Sequence, residues 1–593
     1  EMMSKKEERK LQKDWAERAA DFPEELHTMQ DFHLWTVNHW AKHIAYGNIL
    51  TGGFEWFTRA EIHKLALSLG SAMLRRGIKH GDRVGIFSEN RYEAIVVLEA
   101  CHLFGFISVI TFSPGTYSYP QFSLEDADVA ALFVSPTRAC LPIFESINLP
   151  SLKFKILIES DPEVIGTTVL FDELAHEEIL PLPHIDSEDI CTICYSSGTA
   201  GAPKGVLLSH RSMVMGTKVT DALVDVDYDI VHVSYLPFAH ILERLAILLI
   251  QYRGGRIVFA SHGTENLMED YQRAGLTGGT NIPMVLSKVY TAIKEKTNNS
   301  RAFSVLFKFA KVCRFIGFRS RLTDLVFKKV RDSFGGRLEW QAVAGDTFDK
   351  EIHEFMEVVL DAKLITIYGL SECGGPVAAC RLRDTRPGTV GIPALTVETK
   401  ITEEGEVLVR SPLLFSGYWN NKELTQNAFI DGFFRTGDRG YRDKGGSLII
   451  PGRLYEMVGI ELAIPYLRFS YRLNPCIEDI FIWPIDNLDC LVGIVKVKKE
   501  TLEELYGRSL TEDEYIASVT NPQFLPWLHD NLERFVTDSN MKDLARLKSI
   551  RITTEPFTIE NGFLTATGKL RMRYLAEHFA NEIAEMTAEI GRI

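Results

Sequence analysis

A loop rich in glycines and hydroxyl side chains follows a short apolar run in this chain of 593 residues. Residues 195–205 read YSSGTAGAPKG, and the preceding run Ile190–Cys194 predicts a buried strand. Glycines let successive backbone N–H groups turn toward an anion, while hydroxyls and a lysine add further donors. The candidate phosphate-binding residues are Ser196, Ser197, Gly198, Thr199, Gly201 and Lys204. The alternative is a flexible surface loop. The spacing is neither that of the Walker loop nor that of the dinucleotide fingerprint.

This loop resembles the phosphate loop of the adenylate-forming enzymes, and further segments resemble the same superfamily in the expected order. The segment Ser234–Arg244, SYLPFAHILER, is similar to a signature of the long-chain acyl-CoA synthetases in particular. The remaining motifs with family-like sequences are Tyr368–Glu372, Arg386–Gly391, Arg435–Asp438, Gly452–Arg453 and Glu560–Lys569. The resemblance extends from about residue 50 to the C-terminus, and six ordered motifs make chance an implausible explanation.

The resemblance implies a ligase that activates a long-chain fatty acid to its coenzyme A thioester. ATP would first convert the carboxylate to an acyl-AMP with release of pyrophosphate, and the CoA thiol would then displace AMP. ATP and Mg²⁺ are therefore expected as cofactors, with CoA as co-substrate and a long-chain fatty acid as substrate. Because anions meet at such a site, it needs positive charge and oriented N–H donors where negative charge accumulates.

The motif around Tyr368 would surround the nucleotide and its metal, by the same resemblance. Glu372 would bind Mg²⁺, and Ser371 keeps a hydroxyl at the family's threonine position. Tyr368, with Gly369 after it, would pack on the adenine, and Gly345 would belong to the segment that lines the adenine site. Taken singly, Glu372 has a plainer interpretation as a solvated loop acid.

Four further residues complete the expected site. Asp438 would accept hydrogen bonds from the ribose hydroxyls, and Arg453 would support the ribose or the α-phosphate. Lys569 would bridge the carboxylate and the α-phosphate during adenylation, and His240 would lie near the carboxyl end of the acyl pocket. The plainer interpretations are a turn aspartate, one basic residue among several on an exposed segment, and a buried histidine before an apolar helix.

Two departures from the family pattern bear on the expected activity. Ala200 replaces the second threonine of the phosphate loop and removes one hydroxyl. Tyr455 stands where the family's hinge has lysine or aspartate, and the segment up to Glu461 is shortened. The hinge departure concerns the thioester-forming step, so an acyl-AMP ligase with an acceptor other than CoA remains an alternative. A non-catalytic paralogue that binds fatty acid or nucleotide is the second alternative.

Length, charge and cysteine usage restrict the class of protein. A chain of this size needs at least two hydrophobic cores. The formal net charge of −14 argues against a nucleic-acid-binding protein. Cys191 and Cys194 form a C-x-x-C, which could bind zinc or do redox chemistry, but two small apolar residues in a buried strand are the favoured interpretation because no second cysteine pair lies nearby. We expect a reduced, cytoplasmic environment.

Hydrophobic periodicity predicts an α/β fold. Helical spacing of Ile62, Leu65, Leu69 and Met73 alternates with apolar strands such as Arg83–Phe87, and this alternation predicts parallel sheets covered by helices. The apolar run Ala100–Pro114 is shorter than the ~20 residues of a membrane span and is expected to be helix, turn and strand. The charged stretch Ser4–Lys10 does not resemble a signal peptide.

The expected organisation has three parts. Residues 1–50 would form an N-terminal extension, residues 51–454 a large AMP-binding domain of layered sheets and helices with a β-rich subdomain, and residues 455–593 a small mobile α+β lid. A terminal helix is predicted over Tyr574–Met586, and a lid strand over Leu491–Val497.

Residues 301–331 combine nine lysines or arginines with interleaved phenylalanines. A basic, phenylalanine-rich helix can lie on an anionic membrane surface, which would make the protein peripheral on an intracellular membrane. The alternative is a helix whose phenylalanines pack on the domain while its lysines are solvated.

Overall fold

The computed structural model describes most of the chain. The described residues are 19–50, 53–111, 118–135, 140–158, 178–195, 203–224, 229–261, 266–297, 301–315, 321–382, 384–453, 457–458, 462–472, 474–485, 490–538, 546–564 and 570–590. They divide into two units. The first holds the described residues up to Thr436 together with Tyr441–Ile449, and the second holds Gly437–Gly440 together with the described residues from Ile450 onward.

Helices and strands alternate through the first unit, as the periodicity predicts. Its helices are α1 (Met29–Trp40), α2 (Arg59–Arg75), α3 (Tyr92–Phe104), α4 (Ser118–Asp126), α5 (Leu141–Ser146), α6 (His210–Val224), α7 (Ile241–Tyr252), α8 (Leu267–Ala274), α9 (Pro283–Thr297), α10 (Arg301–Phe315), α11 (Arg321–Ser333), α12 (Lys350–Leu360) and α13 (Lys422–Asn427). Its early strands are β1 (Ile44–Leu50), β2 (Gly53–Thr58), β3 (Arg83–Phe87), β4 (Ile107–Ile110), β5 (Ala131–Val134), β6 (Phe154–Leu157), β7 (Ile190–Tyr195), β8 (Gly205–Ser209), β9 (Val231–Ser234), β10 (Arg256–Phe259) and β11 (Thr280–Asn281). The later strands are β12 (Trp340–Val343), β13 (Lys363–Leu370), β14 (Gly375–Ala379), β15 (Ile392–Pro393), β16 (Glu398–Ile401), β17 (Glu406–Arg410), β18 (Gly417–Tyr418), β19 (Phe429–Ile430), β20 (Phe433–Arg442) and β21 (Leu448–Arg453), the last two of which extend into the second unit.

Four sheets form the framework of this unit. A seven-stranded sheet has the order β18-β8-β7-β4-β3-β5-β6, in which β7, β4, β3, β5 and β6 run parallel and β8 and β18 are antiparallel additions. The other sheets have the orders β2-β1-β10-β9, β11-β12-β13-β14-β15 and β16-β17-β20-β19, with β21 paired to β20. The predicted α/β class with a β-rich part is confirmed.

Local sequence explains where the helices begin. Helix α2 begins with a capping box in which the Thr58 hydroxyl accepts from the Glu61 N–H, and the predicted apolar face at Ile62, Leu69 and Met73 is fully buried. The run Ala100–Pro114 contains the end of α3, a left-handed Gly105 and β4, as expected. Within the part of the chain that the structure describes, no helix has the length and apolarity of a membrane span.

Helix α1 and strand β1 lie within the first fifty residues, where no element was predicted. The capping box of Thr28 and Asp31 marks the start of α1, and this Thr-x-x-Asp pattern was the available signal. Met29 and Phe32 of this helix are completely buried. The first fifty residues therefore contribute core side chains to the first unit.

The second unit has its own hydrophobic core around a three-stranded sheet of order β24-β25-β26. Its elements are β22 (Met457–Val458), β23 (Leu462–Ala463), α14 (Ile464–Arg472), β24 (Ile477–Ile485), β25 (Cys490–Val497), α15 (Lys499–Tyr506), α16 (Glu512–Val519), α17 (Phe524–Asp538), β26 (Leu547–Ile552), α18 (Met572–His578) and α19 (Ala580–Ile590). The predicted strand Leu491–Val497 is present within β25. The predicted single terminal helix is wrong, because the chain breaks at the buried Phe579 into two helices.

All nine cysteines are free thiols, and eight of them are buried. Cys191 and Cys194 lie in β7 and are at most 1 % exposed, so the interpretation as small apolar residues of a buried strand is confirmed.

Candidate functional site

The structure describes nine of the predicted site residues: Lys204, His240, Gly345, Tyr368, Gly369, Ser371, Glu372, Asp438 and Arg453. Ser196, Ser197, Gly198, Thr199, Gly201 and Lys569 lie outside the described residues, as do Ala200 and Tyr455. The roles expected for those residues therefore stay predictions.

Tyr418 joins Lys204 to Glu372. The Tyr418 hydroxyl donates to Glu372 Oε1 at 2.9 Å, and the Lys204 Nζ lies 5.6 Å from the centre of the same aromatic ring. Strand pairing produces this arrangement, since Tyr418 in β18 is opposite Val206 in β8, two residues after Lys204. A cation and a carboxylate that are 168 positions apart in sequence thus share one phenol.

Glu372 lies in a tight 3₁₀ turn, Ser371–Cys373, between β13 and β14. The turn ends at Gly374, whose φ of +61° favours glycine and where a Cβ would lie 2.3 Å from the Leu413 carbonyl oxygen. The Glu372 carbonyl accepts from the Phe415 N–H at 2.8 Å. The close approach of Gly374 to Leu413 and the hydrogen bond from Phe415 hold the turn against the chain just before Tyr418. They therefore fix the position of Glu372.

Cys194 lies between the turn and the segment before His240. Its thiol is 3.2 Å from the Ala239 carbonyl oxygen and 3.8 Å from the Ser371 hydroxyl. Because Cys194 is in β7, the strand that precedes the glycine-rich loop, three of the predicted motifs meet near this strand. Sequence reasoning assigned neither Cys194 nor Tyr418 a place in the site, and no local pattern marks either one.

His240 is the N-cap residue of α7, with extended backbone and a half-buried side chain. Below it, Glu243 is fully buried, and its carboxylate accepts from Ser234 Oγ at 2.6 Å and lies 2.9 Å from His232 Nε2. Thr280 Oγ1 donates to the other carboxylate oxygen at 3.0 Å. These contacts anchor the first turn of α7 to β9 and β11 and so fix the helix end that carries His240.

Tyr235 makes a further buried hydrogen bond next to these contacts. Its hydroxyl donates to Asn281 Oδ1 at 2.7 Å, and burial, together with the nearby Glu243 charge, raises the pKa of Tyr235. The phenol therefore remains a donor at neutral pH and holds β11 against the segment that follows β9.

Gly345 and Tyr368 lie at the carboxyl ends of neighbouring parallel strands. Val343, the last residue of β12, pairs with Thr366 of β13, so Gly345 and Tyr368 each lie two residues beyond this pair. Tyr368 is largely buried, whereas Gly345 and Gly369 are exposed. Gly345 has a φ of +93°, which only glycine adopts readily. The carboxyl edge of a parallel sheet is where nucleotides bind in α/β proteins, and this position suits the predicted adenine contacts.

Asp438 and Arg453 form an ion pair in the second unit. Arg453 Nε lies 3.0 Å from Asp438 Oδ1, and the aspartate side chain is 8 % exposed. The two residues had been assigned separate nucleotide contacts, and the structure places them side by side on the paired strands β20 and β21. A carboxylate oriented by a neighbouring guanidinium suits a pair of hydroxyl donors such as those of a ribose.

The basic segment from residue 301 has two distinct faces in α10. Phe303 and Phe307 pack against Phe355 of α12, with ring centres 6.2 and 4.9 Å apart from it, so these phenylalanines face the domain. The opposite face carries Val305, Phe309 and Val312, which are 69 %, 44 % and 57 % exposed. The expected inward packing of phenylalanines and an outward apolar stripe therefore coexist on one helix.

Comparison with known proteins agrees with this geometry. Residues 35–419 match the model of the family described as AMP-binding enzyme. The peroxisomal long chain acyl-CoA synthetase 7 of Arabidopsis thaliana is 26 % identical over 97 % of this chain and 88 % of its own length. This chain is similar to that synthetase along nearly its whole length.

Two solved structures share the fold. The adenylation domain of a carboxylate reductase from Mycobacterium chelonae superposes with a TM-score of 0.78 at 18 % identity, covering 99 % of this chain and 98 % of that domain. The corresponding domain from Segniliparus rugosus, solved with AMP and a co-purified carboxylic acid, gives 0.76 at 19 % identity, covering 98 % and 96 %. With the family match over more than half its length, this chain belongs to the AMP-binding enzymes, the family of adenylate-forming ligases.

Proposed function

We propose that this protein is an ATP-dependent long-chain fatty acid–CoA ligase that works through an acyl-AMP intermediate. The observation that carries the proposal is the contact of Lys204 and Glu372 with one tyrosine, beside the strand that leads into the glycine-rich loop. The similarity to a long chain acyl-CoA synthetase supports the substrate class. The nine free thiols suit a reducing compartment, and we propose the cytoplasm.

The described residues fit the charges of such a reaction. Adenylation joins a carboxylate to the α-phosphorus of ATP, so positive charge is needed where pyrophosphate leaves. Lys204 supplies a mobile cation at the end of the glycine-rich loop, whose remaining members we propose as donors to the β- and γ-phosphates. Lys569 would bridge the attacking carboxylate and the α-phosphate. His240, on the fixed end of α7, would lie beside the acyl carboxylate.

Glu372 fits a magnesium site. Its carboxylate offers about four lone-pair positions, of which the Tyr418 hydroxyl occupies one, and the side chain is half-exposed. A bound Mg²⁺ would neutralise charge on the phosphate oxygens. Glu372 would hold that ion, while Tyr418 orients the carboxylate. Tyr368, Gly369, Ser371 and Gly345 would surround the adenine and α-phosphate side of the nucleotide, and Asp438 with Arg453 would hold the ribose.

The test is ATP–pyrophosphate exchange with palmitate and Mg²⁺, measured beside formation of palmitoyl-CoA. We expect both activities in the wild type. Lys569→Ala and Glu372→Gln should each reduce exchange by at least about a hundredfold, because each removes a charge that acts on the reacting groups. Glu403→Gln, an exposed acid of the β-rich part, is the matched control and should behave as wild type.

The two assays separate the alternatives. Exchange without thioester would favour an acyl-AMP ligase with another acceptor and would direct attention to Tyr455. Absence of exchange with palmitate, oleate and shorter acids would contradict the proposed function and favour a non-catalytic binding protein. Equal exchange in wild type and Glu372→Gln would exclude the assigned metal ligand.

We also propose that the outer face of α10 contacts an anionic lipid surface. The stripe of Val305, Phe309 and Val312 has the i, i+4, i+7 spacing of a single helix face, and the exposed Lys308 lies on that face. Lys329 of α11 is likewise exposed. Exposed apolar groups among lysines are complementary to a bilayer with acidic headgroups.

Vesicle co-sedimentation tests this contact. The protein should bind vesicles of phosphatidylcholine with phosphatidylserine more strongly than vesicles of phosphatidylcholine alone, and salt should weaken the binding. Lys308→Glu combined with Phe309→Ser should remove it, whereas Ile430→Ser combined with Lys444→Glu, exposed positions elsewhere, should not. Arg314 is left intact because it bonds to Asp361 and the Ala362 carbonyl inside the domain. Equal binding of both double variants, or none by the wild type, would contradict the proposal.

A further inference from the structure

We propose that Arg244 and Asn90 are positioning residues that fix the segment Leu236–His240, and with it the acyl carboxylate, relative to strand β7. The inference rests on the proposed function, because it assigns His240 to the acyl end of the site. It concerns two side chains outside the expected catalytic and nucleotide-binding set.

Arg244 bonds to the carbonyls that directly precede His240. Its Nε donates to the Phe238 carbonyl at 2.6 Å, and its Nη2 donates to the Ala239 carbonyl at 3.3 Å. Its Nη1 donates to the Thr192 hydroxyl in β7. One guanidinium therefore joins the segment before His240 to the strand that leads into the glycine-rich loop.

The burial of Arg244 makes this bonding pattern unusual. The side chain is 3 % exposed, and its hydrogen-bond acceptors in the described part of the chain are two carbonyls and a hydroxyl, without a carboxylate. Burying a guanidinium against neutral oxygens costs more free energy than burying a neutral side chain of the same shape. Its positive charge also lies beside the segment that a fatty-acid carboxylate would approach, where it favours the anion.

Asn90 holds the other end of the same segment. Its Nδ2 donates to the Leu236 carbonyl at 2.7 Å and to Ser234 Oγ at 2.8 Å, and its Oδ1 accepts from the Phe238 N–H at 3.2 Å. Asn90 follows β3 in the seven-stranded sheet, the same sheet that contains β7. Asn90, from the loop after β3, and Arg244, from α7, thus bracket the five residues that end at His240.

This bracketing matters because adenylation needs two anions in a fixed geometry. A displacement of about 1 Å of a reacting group can cost roughly a hundredfold in rate. Arg244 bonds the segment Leu236–His240 to Thr192, and Cys194 in the same strand contacts Ala239. The acyl segment is therefore positioned by β7, the strand that leads into the glycine-rich loop. Loss of the hydrogen bonds of either Arg244 or Asn90 should displace the fatty acid while ATP binding is unchanged.

The test compares Arg244→Lys, Arg244→Met and Asn90→Ala with the wild type in ATP–pyrophosphate exchange. Each variant should raise KM for palmitate and lower kcat by about tenfold or more, while KM for ATP stays within twofold. Arg244→Lys should retain affinity for palmitate better than Arg244→Met, because lysine keeps the positive charge and loses only the planar set of guanidinium donors. Arg253→Lys, at the far end of α7 in an ion pair with Asp221, is the matched control and should have wild-type kinetics.

Thermal unfolding of each variant is measured alongside, and Asn90→Ala provides a half-buried site if both Arg244 variants fail to fold. Wild-type KM for palmitate in Asn90→Ala and in the folded Arg244 variants would overturn the inference, as would an equal rise in KM for both substrates. Absence of exchange in the wild type would overturn the proposed function and this inference together, which distinguishes the two failures.

Discussion

Tyr418 acts on two charged groups at the residue scale. Its hydroxyl restricts the Glu372 carboxylate, and its ring lies beneath the Lys204 ammonium. An aromatic face attracts a cation, and a phenolic donor removes one of the orientations open to a carboxylate. Under the proposed function, Tyr418 would hold both groups in place for a metal-bound triphosphate without carrying charge itself.

Replacing Tyr418 with phenylalanine tests this role. The ring beneath Lys204 is kept and the bond to Glu372 is lost, and hydrogen bonds to charged groups contribute about 1.5–3 kcal/mol, so kcat/KM for MgATP should fall about tenfold to a hundredfold. Steady-state exchange at varied MgATP measures the change. Tyr441→Phe, at a half-exposed tyrosine, is the control, and an unaltered kcat/KM for MgATP in Tyr418→Phe would contradict the role.

Lys204 and Glu372 could be predicted as candidate site residues, because each lies in a motif whose residue types indicate the chemistry. It could not predict Tyr418, which lies 46 positions from Glu372 in a strand of only two residues. Its place depends on pairing with β8, a contact that no local pattern encodes. Asp438 and Arg453 were both predicted, but their pairing was not, since it depends on the register of β20 and β21.

Glycine contacts between elements position the turn that carries Glu372. A Cβ on Gly216 of α6 would lie 2.4 Å from the Gly374 carbonyl oxygen, so the helix and the turn approach more closely than any side chain permits. The two elements are far apart in sequence. The helix and the turn can pack at this distance because residue 216 has no Cβ atom.

Gly216→Ala should consequently be harmful although alanine favours helices. Overpacking costs about 1–3 kcal/mol, and the displaced turn should also lower exchange activity. Lys218→Ala, a nearby change on the same helix that likewise raises helix propensity, should be far milder. Urea unfolding and exchange assays of the two variants decide between these effects, and equal stability would show that the turn adapts.

A buried polar cluster joins α1, α2 and α3. Arg59 makes a paired bond to Glu99 at 2.8 and 2.9 Å and donates to His33 Nδ1, and His63 lies 2.6 Å from Glu99. Although burial alone would raise the pKa of Glu99, the Arg59 guanidinium holds it well below its usual range. The cluster fixes α1, the helix that sequence reasoning missed, against the core.

Acid should weaken the fold through two buried histidines, His33 of this cluster and His210 of α6, whose Nδ1 accepts from the Met29 N–H of α1 at 3.2 Å. Burial lowers the pKa of His33 to about 3 and that of His210 to about 4, so both are neutral in the folded chain at pH 5 but protonated in the unfolded chain. Stability is present above the unfolded pKa near 6.5 and is lost as pH falls toward 4. The loss between pH 7 and 5 should be about 2 kcal/mol for each histidine.

Urea unfolding at several pH values measures this loss. His210→Gln should flatten the dependence on pH whatever its effect on stability at pH 7. His184→Gln, at an exposed histidine, should leave the slope unchanged. A slope that His210→Gln does not alter would show that other groups govern the acid sensitivity.

At the scale of the whole molecule, each of the two units has hydrophobic core residues of its own among the described residues, as the length of the chain requires. Alternating periodicity was sufficient to predict the class of the first, because parallel strands and covering helices have strong patterns. The terminal helix of the second was predicted without its break, since Phe579 is apolar at a position that suits either continuation or a turn. The predicted boundary at 454/455 remains a prediction, because 454–456 lie outside the described residues.

Seven thiols belong to the first unit, and Cys476 and Cys490 belong to the second, where Cys490 is only partly covered. In the native protein a thiol reagent of moderate size should therefore modify Cys490 first and the others at rates limited by opening of the fold. Mass spectrometry after pulses of such a reagent in rising urea should give a separate loss of protection for each unit. Simultaneous labelling of the eight buried thiols would mean that the two units unfold together. The natural cysteines thus act as built-in reporters of cooperativity, and no probe has to be introduced.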